Sequence, residues 1–337
     1  PIWVRQHQAW VAFLSGDVET AETRLDLAAT EFEELGDRLG MGWANGLLAY
    51  VRLMQRGLAD AELLATRVRA ESLELGDVWA PAMMDSLLAS IRLWSGRFSE
   101  ADELSRRALN AFRELGDRFC MVQALAPRVR SLVALGRTGD AERAIEEALA
   151  LGDGYGDFAF PSIIAAGAAV HLGLGDRAVA IGERALAQIA AMGGEGSEPR
   201  TTYALALCQV GRADDALAEL LDVRVDTPYA RAVHALASAM TGDFVSAVTD
   251  AEAVWNDDGS TYLDRVYVDI AAGAACVQVG DASRADVHLD RARSVASAAG
   301  DGVARSLAAH AANGLRGRPD VDHEPVESGW VRVIDCL

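Results

Sequence analysis

The chain has 337 residues, of which 51% are hydrophobic, and carries a formal net charge of −19 from 31 basic and 50 acidic side chains. That length exceeds one compact core and calls for two domains or an elongated repeat array, while the apolar content excludes disorder of the whole chain. Acidity of this degree opposes phosphate backbones and anionic lipid, which argues against nucleic-acid or membrane-surface partners.

The first element opens at Pro1 in what reads as mid-helix, without initiator Met or signal peptide, so a fragment of a longer or processed protein is expected. Residues 2–35 read as a helix hairpin that turns at Gly16 (GDVETAE) and closes at Leu35-Gly36-Asp37. The pattern returns over 39–75, turning at Arg56 (RGLADAE) and closing at Leu75-Gly76-Asp77. It returns again over 79–115, turning at Gly96 (GRFSEADE) and closing at Leu115-Gly116-Asp117. A fourth pair over 119–151 turns at Gly136 (GRTGDAE) and closes at Leu151-Gly152-Asp153. Pro127 falls inside its first helix, where a kink or a delayed start is expected. The pairs at 158–192, 198–223, 228–256 and 261–299 turn at Gly173, Gly211, Gly242 and Gly280 and are less regular, with loop insertions at Gly193–Gly196 and Asn256–Gly259. Residues 303–315 read as a capping helix, Arg316–Gly329 as a polar linker, and Trp330–Leu337 as a tail apolar enough to dock.

Each landmark has a physical reason. A Gly closing a helix takes the left-handed conformation without a Cβ penalty, and the Asp after it can accept from the free N–H groups of the next helix. An Ala stands five residues into every turn: Ala21, Ala61, Ala101, Ala141, Ala178, Ala216, Ala247 and Ala285. A residue that small lets the two helices of a pair approach closely. Between landmarks the apolar period is helical, as in Phe98, Ala101, Leu104, Ala108, Phe112 and Leu115, and no stretch alternates with period two.

These helix pairs, with Gly before the turn and Ala in the second helix, resemble the tetratricopeptide repeat (TPR). The forty-residue spacing resembles the long-repeat variant in the C-terminal arrays of bacterial, including actinobacterial, multidomain signal-transduction and transcriptional regulators. The resemblance covers about residues 2–315. It implies an all-α, right-handed α-solenoid of about eight hairpins with a C-terminal capping helix (residues 1–315), followed by a linker and tail (316–337). Most units lack the Trp and Pro of the short-repeat consensus, which sets the chain apart from the 34-residue peptide-clamp subclass.

In that family the first helix of each pair, helix A, lines a concave groove. Counting back from the anchor Ala residues, three columns of groove positions emerge. In the N-terminal half they hold Trp3, Trp43, Met83 and Gln123; Gln6 and Ser86; and Trp10, Tyr50, Ser90 and Arg130. Phe160 continues the first column, and from there the groove positions are mostly apolar. The aromatics serve either inter-repeat packing or recognition of a peptide, helix or apolar effector. Arg130 is a lone cation on this register, suited to a carboxylate or to an ion pair with a neighbouring Glu.

Catalytic chemistry finds no footing. All 31 basic residues are Arg, so no P-loop or Schiff-base Lys exists. The Gly173-Leu174-Gly175…Ala178 match to a dinucleotide fingerprint follows a helix rather than a strand. The acidic loops Asp153–Asp157 and Asn256–Gly259 lack the order of a calcium loop. Cys120, Cys208, Cys276 and Cys336 form no CxxC and are expected to be buried thiols of a reducing cytoplasm. Arg52 and Arg92 occupy equivalent positions, as a repeated inter-helix salt bridge or as a clamp for an anion. No metal or cofactor is called for. The expected function is a non-catalytic, cytoplasmic module binding a protein, a peptide or a small effector. A passive scaffold or homodimerisation module is the alternative, and an enzyme on a helical toroid a distant third.

Overall fold

A computed structural model describes residues 2–14, 17–55, 57–153, 158–194, 196–221, 223, 225–317 and 326–337. Gly16, Arg56, most of the first acidic loop, Glu195 and most of the polar linker lie outside the described residues. The described residues form eighteen α-helices and no strand. They divide into two compact units, residues 1–131 and 132–337.

In the first unit, α1 (Ile2–Leu14) pairs with α2 (Val18–Glu34), α3 (Arg38–Met54) with α4 (Leu58–Glu74), and α5 (Trp79–Trp94) with α6 (Phe98–Leu115). The unit ends within α7 (Arg118–Ala134). The Leu-Gly-Asp tripeptide both ends one helix and starts the next. Gly36 has φ of 68°, its N–H donates to the Glu33 carbonyl at 3.0 Å, and the Asp37 N–H donates to the Phe32 carbonyl at 2.9 Å, the Schellman pattern. The Asp37 carboxylate then accepts from the Gly40 N–H at 2.9 Å, and Asp117 repeats this with the Cys120 N–H at 3.0 Å. α7 begins at Arg118 and runs through Pro127 without a delayed start, and the Ser131 hydroxyl donates to the Pro127 carbonyl at 2.6 Å.

The second unit continues with α8 (Thr138–Gly152) and the pairs α9 (Phe160–Leu172) with α10 (Gly175–Ala191), α11 (Ser197–Gln209) with α12 (Ala213–Leu221), α13 (Pro228–Met240) with α14 (Phe244–Trp255), and α15 (Tyr262–Gln278) with α16 (Ala282–Ala299). It closes with α17 (Gly302–Leu315) and α18 (Ser328–Cys336), the latter packed on α10, α11 and α17. Seven of the anchor Ala residues are 0% exposed and Ala285 is 3% exposed, as close packing of each second helix requires. The array is all-α, a TPR-like solenoid of helix hairpins.

Two buried carboxylates bind neighbouring hairpins together. Asp85 on α5, 6% exposed, accepts from Arg69 Nε of α4 at 2.7 Å and from Arg107 Nη2 of α6 at 3.0 Å. Asp269 on α15, 0% exposed, accepts from Arg291 Nε of α16 at 2.8 Å and from the Trp255 indole of α14 at 3.2 Å, with His288 Nδ1 at 2.9 Å. Arg291 also lies over the Trp255 ring, 4.1 Å from its centroid. Both acids sit in the same place of their repeat.

Cys120, Cys208 and Cys276 are buried and free, whereas Cys336 is exposed, contrary to expectation, because it lies on the outer face of the amphipathic α18. No helix is long and apolar enough to cross a membrane, and no metal-binding cluster of His, Cys, Asp or Glu occurs among the described residues.

Candidate functional site

The columns expected from the sequence fall on the odd-numbered helices of residues 1–131. Trp3 (43% exposed), Trp10 and Trp43 (each 42%) are their most exposed members. Each is nevertheless held by a second ring. Trp3 meets Phe32 of α2 edge-on at 5.0 Å, Trp10 stacks on Phe13 at 5.9 Å, and Trp43 stacks on Trp79 at 4.8 Å. Trp79 in turn donates its indole N–H to Asp117 at 3.0 Å and meets Phe112 edge-on. One side of each ring is packed, for Trp3 and Trp43 against a neighbouring helix and for Trp10 against Phe13 of its own helix, and the other side stays open.

The remaining residues divide by depth. Tyr50 is half-buried, donates to the Met83 carbonyl at 3.3 Å, and has its phenol pKa pushed well above the usual range, chiefly by burial. Met83, Ser90, Gln123 and Arg130 are also half-buried, and the Ser90 hydroxyl donates to the Ser86 carbonyl at 3.2 Å. Gln6 and Ser86 lie deeper, at 7% and 3% exposure, so their column is the floor of the face rather than its surface. Gln6 Oε1 and Ser86 Oγ have no hydrogen-bond partner among the described residues. An unpaired buried polar atom is costly, and such groups need a reason.

Charge sets Arg130 apart. Arg52 pairs with Glu22 and Arg92 with Glu62 at 2.5 Å, each reaching back to the preceding hairpin, which makes them the repeated inter-helix bridge rather than an anion clamp. Arg128, two residues from Arg130, pairs with Asp102 at 3.3 Å. Arg130 makes no hydrogen bond or ion pair among the described residues.

Phe160 belongs to the second unit, half-buried against Phe158 at 6.2 Å, and from α11 onward most of the helix-A column positions are buried. Leu205, Ala232, Leu236, Tyr267, Ile270 and Ala274 are all buried, because α9, α11, α13 and α15 pack directly on one another and α17 and α18 cover what is left. His171 on α9 reaches Asp301 at the start of α17 (Nε2 to Oδ2, 2.9 Å) and Tyr267 on α15 (Nδ1 to the hydroxyl oxygen, 3.3 Å). Tyr262 donates to the same Asp301 oxygen at 2.7 Å, and the Ala304 N–H donates to the other at 2.9 Å. Burial would raise the Asp301 carboxyl pKa, but His171 and these donors outweigh it and hold it well below the usual range. No spacing rule could have joined residues this far apart in the chain.

No family model and no curated protein matches the chain. Solved structures do. A Rap protein complexed with competence and sporulation factor superposes with a TM-score of 0.61 at 12% identity, covering 88% of this chain and 98% of that one. The apo form of the quorum sensor NprR from B. thuringiensis gives 0.56 at 11% identity, covering 88% and 86%. A tetratricopeptide repeat protein from Parabacteroides merdae gives 0.52 at 13% identity, covering 80% and 98%. Identities this low carry the architecture alone, and that architecture is shared: the chain has the fold of tetratricopeptide-repeat proteins.

Proposed function

We propose that the chain is a non-catalytic recognition module that binds a peptide or protein segment on the helix-A face of residues 1–131. One observation carries the reading. Three tryptophans, each rigidly backed by a second ring, leave about two-fifths of their surface uncovered on the face where Arg130 stands without a partner. Backed aromatics and Arg are the residue types that dominate binding energy at interfaces, since little side-chain entropy remains to be lost. Arg130 suits a carboxylate of the bound segment. The neighbours in fold fit this reading: one is solved in complex with competence and sporulation factor and another is described as a quorum sensor. The setting is a cytoplasmic bacterial regulator in which the module biases an adjoining domain, with a small effector as the other kind of ligand. Net charge of −19 directs it away from nucleic acid and anionic membranes.

A second reading, self-association, rests on the outer face of α1. Val4 and Val11 are exposed there beside Trp3, His7, Gln8 and Arg24, so Trp3 belongs to both surfaces. Sedimentation of the full chain separates the two: a monomer across micromolar concentrations removes the second.

The first reading is tested by selecting a random peptide display library on the full chain and measuring the best binder by fluorescence anisotropy. Trp43→Ala and Arg130→Glu should each weaken binding at least about tenfold, a typical loss for an interface hot spot. Arg130→Glu should leave stability within about 1 kcal/mol, the usual range for surface substitutions. Selected peptides that bind both variants as tightly as the parent chain would remove this face from consideration.

A further inference from the structure

The last helix is attached to the second unit as a ligand is attached to a groove. Trp330, Val333, Ile334 and Leu337 are the buried residues that anchor it, at positions i, i+3, i+4 and i+7. That is the anchor spacing of an amphipathic helix laid into a cleft. The Trp330 ring lies 5.2 Å from Tyr267, and its indole N–H donates to the His171 carbonyl at 2.9 Å. The contact is also made backbone to backbone. The Gly329 N–H donates to the Gly173 carbonyl at 3.0 Å, and a Cβ at Gly329 would come within 2.3 Å of that oxygen. At the far end, Gln278 Nε2 donates to the Leu337 carbonyl at 2.9 Å. The receiving surface is prepared on its own side: Gln209 is held by its Nε2 donating to the Val170 carbonyl at 2.7 Å, and its Oε1, beside Gly329, is buried without a partner.

We infer that this cradle, at the ends of α9, α11 and α15, is a second binding site, specific for a short amphipathic helix that begins with a Gly-Trp pair, and that α18 is its built-in, displaceable occupant. The ligand class follows from the cradle. A glycine is needed where two backbones meet, an indole must fill the slot over Tyr267, and apolar residues must follow three, four and seven positions after the indole. A helix on another protein with that pattern competes for the same place. About a dozen residues connect α17 to α18, and a connection of that order supplies an effective concentration on the order of millimolar. A free helix at micromolar concentration therefore meets a cradle already taken, and cutting the connection removes that advantage.

The test uses the full chain with a protease site placed within residues 318–325, cut after folding. The probe is a fluorescent synthetic peptide of residues 326–337. Before cutting, the probe should bind weakly. After cutting, the native fragment should exchange out and the probe should bind with one-to-one stoichiometry and an apparent affinity at least about 100-fold higher, from loss of the tethered competitor. A probe with Trp330→Ala should lose at least about tenfold. A second arm, the uncut chain carrying Trp330→Ala, should admit the unmodified probe without cutting. Two results would overturn the inference: a fragment that stays bound and never exchanges with probe over a day, or release that melts the helicity of the body beyond the residues of α18. Both readouts concern residues 132–337, so they stand or fall separately from the face of residues 1–131.

Discussion

Removal of the Asp269 carboxylate is the most direct test of what ties the later hairpins together. In Asp269→Ala, Arg291, His288 and the Trp255 indole lose a common acceptor that is itself 0% exposed. Deleting one partner of a buried pair costs about 3–5 kcal/mol, because the other charge is left without compensation. Arg291 keeps 34% of its side-chain exposure, so water recovers part of its solvation, and the lower end, about 3 kcal/mol, applies. Asp269→Asn keeps the volume and one acceptor oxygen but loses the charge, and should cost about half as much by the difference between neutral and charge-assisted hydrogen bonds. Urea unfolding of the full chain followed by far-ultraviolet circular dichroism reads both. A loss of about 3 kcal/mol moves the midpoint by up to about 1 M at the denaturant sensitivity of a chain this long. Removing the acid of the exposed Arg38–Glu74 pair by Glu74→Ala should leave the midpoint in place. If Asp269→Ala behaved like Glu74→Ala, the buried node would be worth no more than a surface contact and the reasoning would fail.

Ala101→Leu should destabilise by about 1–3 kcal/mol through overpacking, since Ala101 is 0% exposed at the crossing of α5 and α6; a neutral result in the same urea assay would place the repeat register elsewhere. His234 lies 2.6 Å from Asp250, and this hydrogen bond raises its pKa above 6.5 against the opposing effect of burial, with Asp243 favouring the charge and Arg231 opposing it. A raised folded pKa means stabilisation that is complete below the unfolded value and lost as pH rises through the folded one. Histidine NMR titration should therefore place His234 above 6.5, and Asp250→Asn should bring it down; an unchanged titration in that variant would rule out Asp250 as the cause.

The repeat architecture could be read directly because glycines and alanines carry it. Left-handed backbone at Gly36, Gly76 and Gly116 and close helix approach at the anchor alanines are requirements on single residues, visible one position at a time. The acid nodes demanded more. Asp85 and Asp269 look like the many solvated carboxylates around them until each is paired with an arginine twenty-two residues on, Arg107 and Arg291, in the same register of two different repeats. Superposing the repeats on one another would have exposed that match, whereas reading along the chain does not. Of the columns, the one holding Gln6 and Ser86 is turned inward, at 7% and 3% exposure, which its polar residue types did not announce. The His171–Asp301 contact and the seat of Trp330 join residues 130 and 159 positions apart, beyond any local pattern.

Side-chain size on helix A decides which face of each unit is available. The separation of two packed helices follows the bulk of the residues between them. In residues 1–131 the helix-A positions carry Trp3, Trp10, Trp43, Tyr50 and Met83, which hold neighbouring first helices apart and leave rings partly uncovered. In residues 132–337 the corresponding helices are lined with Ala168, Ala204, Ala235, Ala237, Ala271 and Ala274, all at 0–1% exposure, and α15 is buried along most of its length. Small residues let those helices close on one another, so the apolar surface that could have met a partner is spent internally. The edge formed by the ends of α9, α11 and α15 is covered by a helix of the chain's own, α18. The face of residues 1–131 has no such occupant among the described residues, and its tryptophans keep apolar surface in contact with water at a cost of about 25 cal/mol per Å² of apolar area. A partner that covered those rings would recover that cost, which is the physical basis of the binding proposed for residues 1–131.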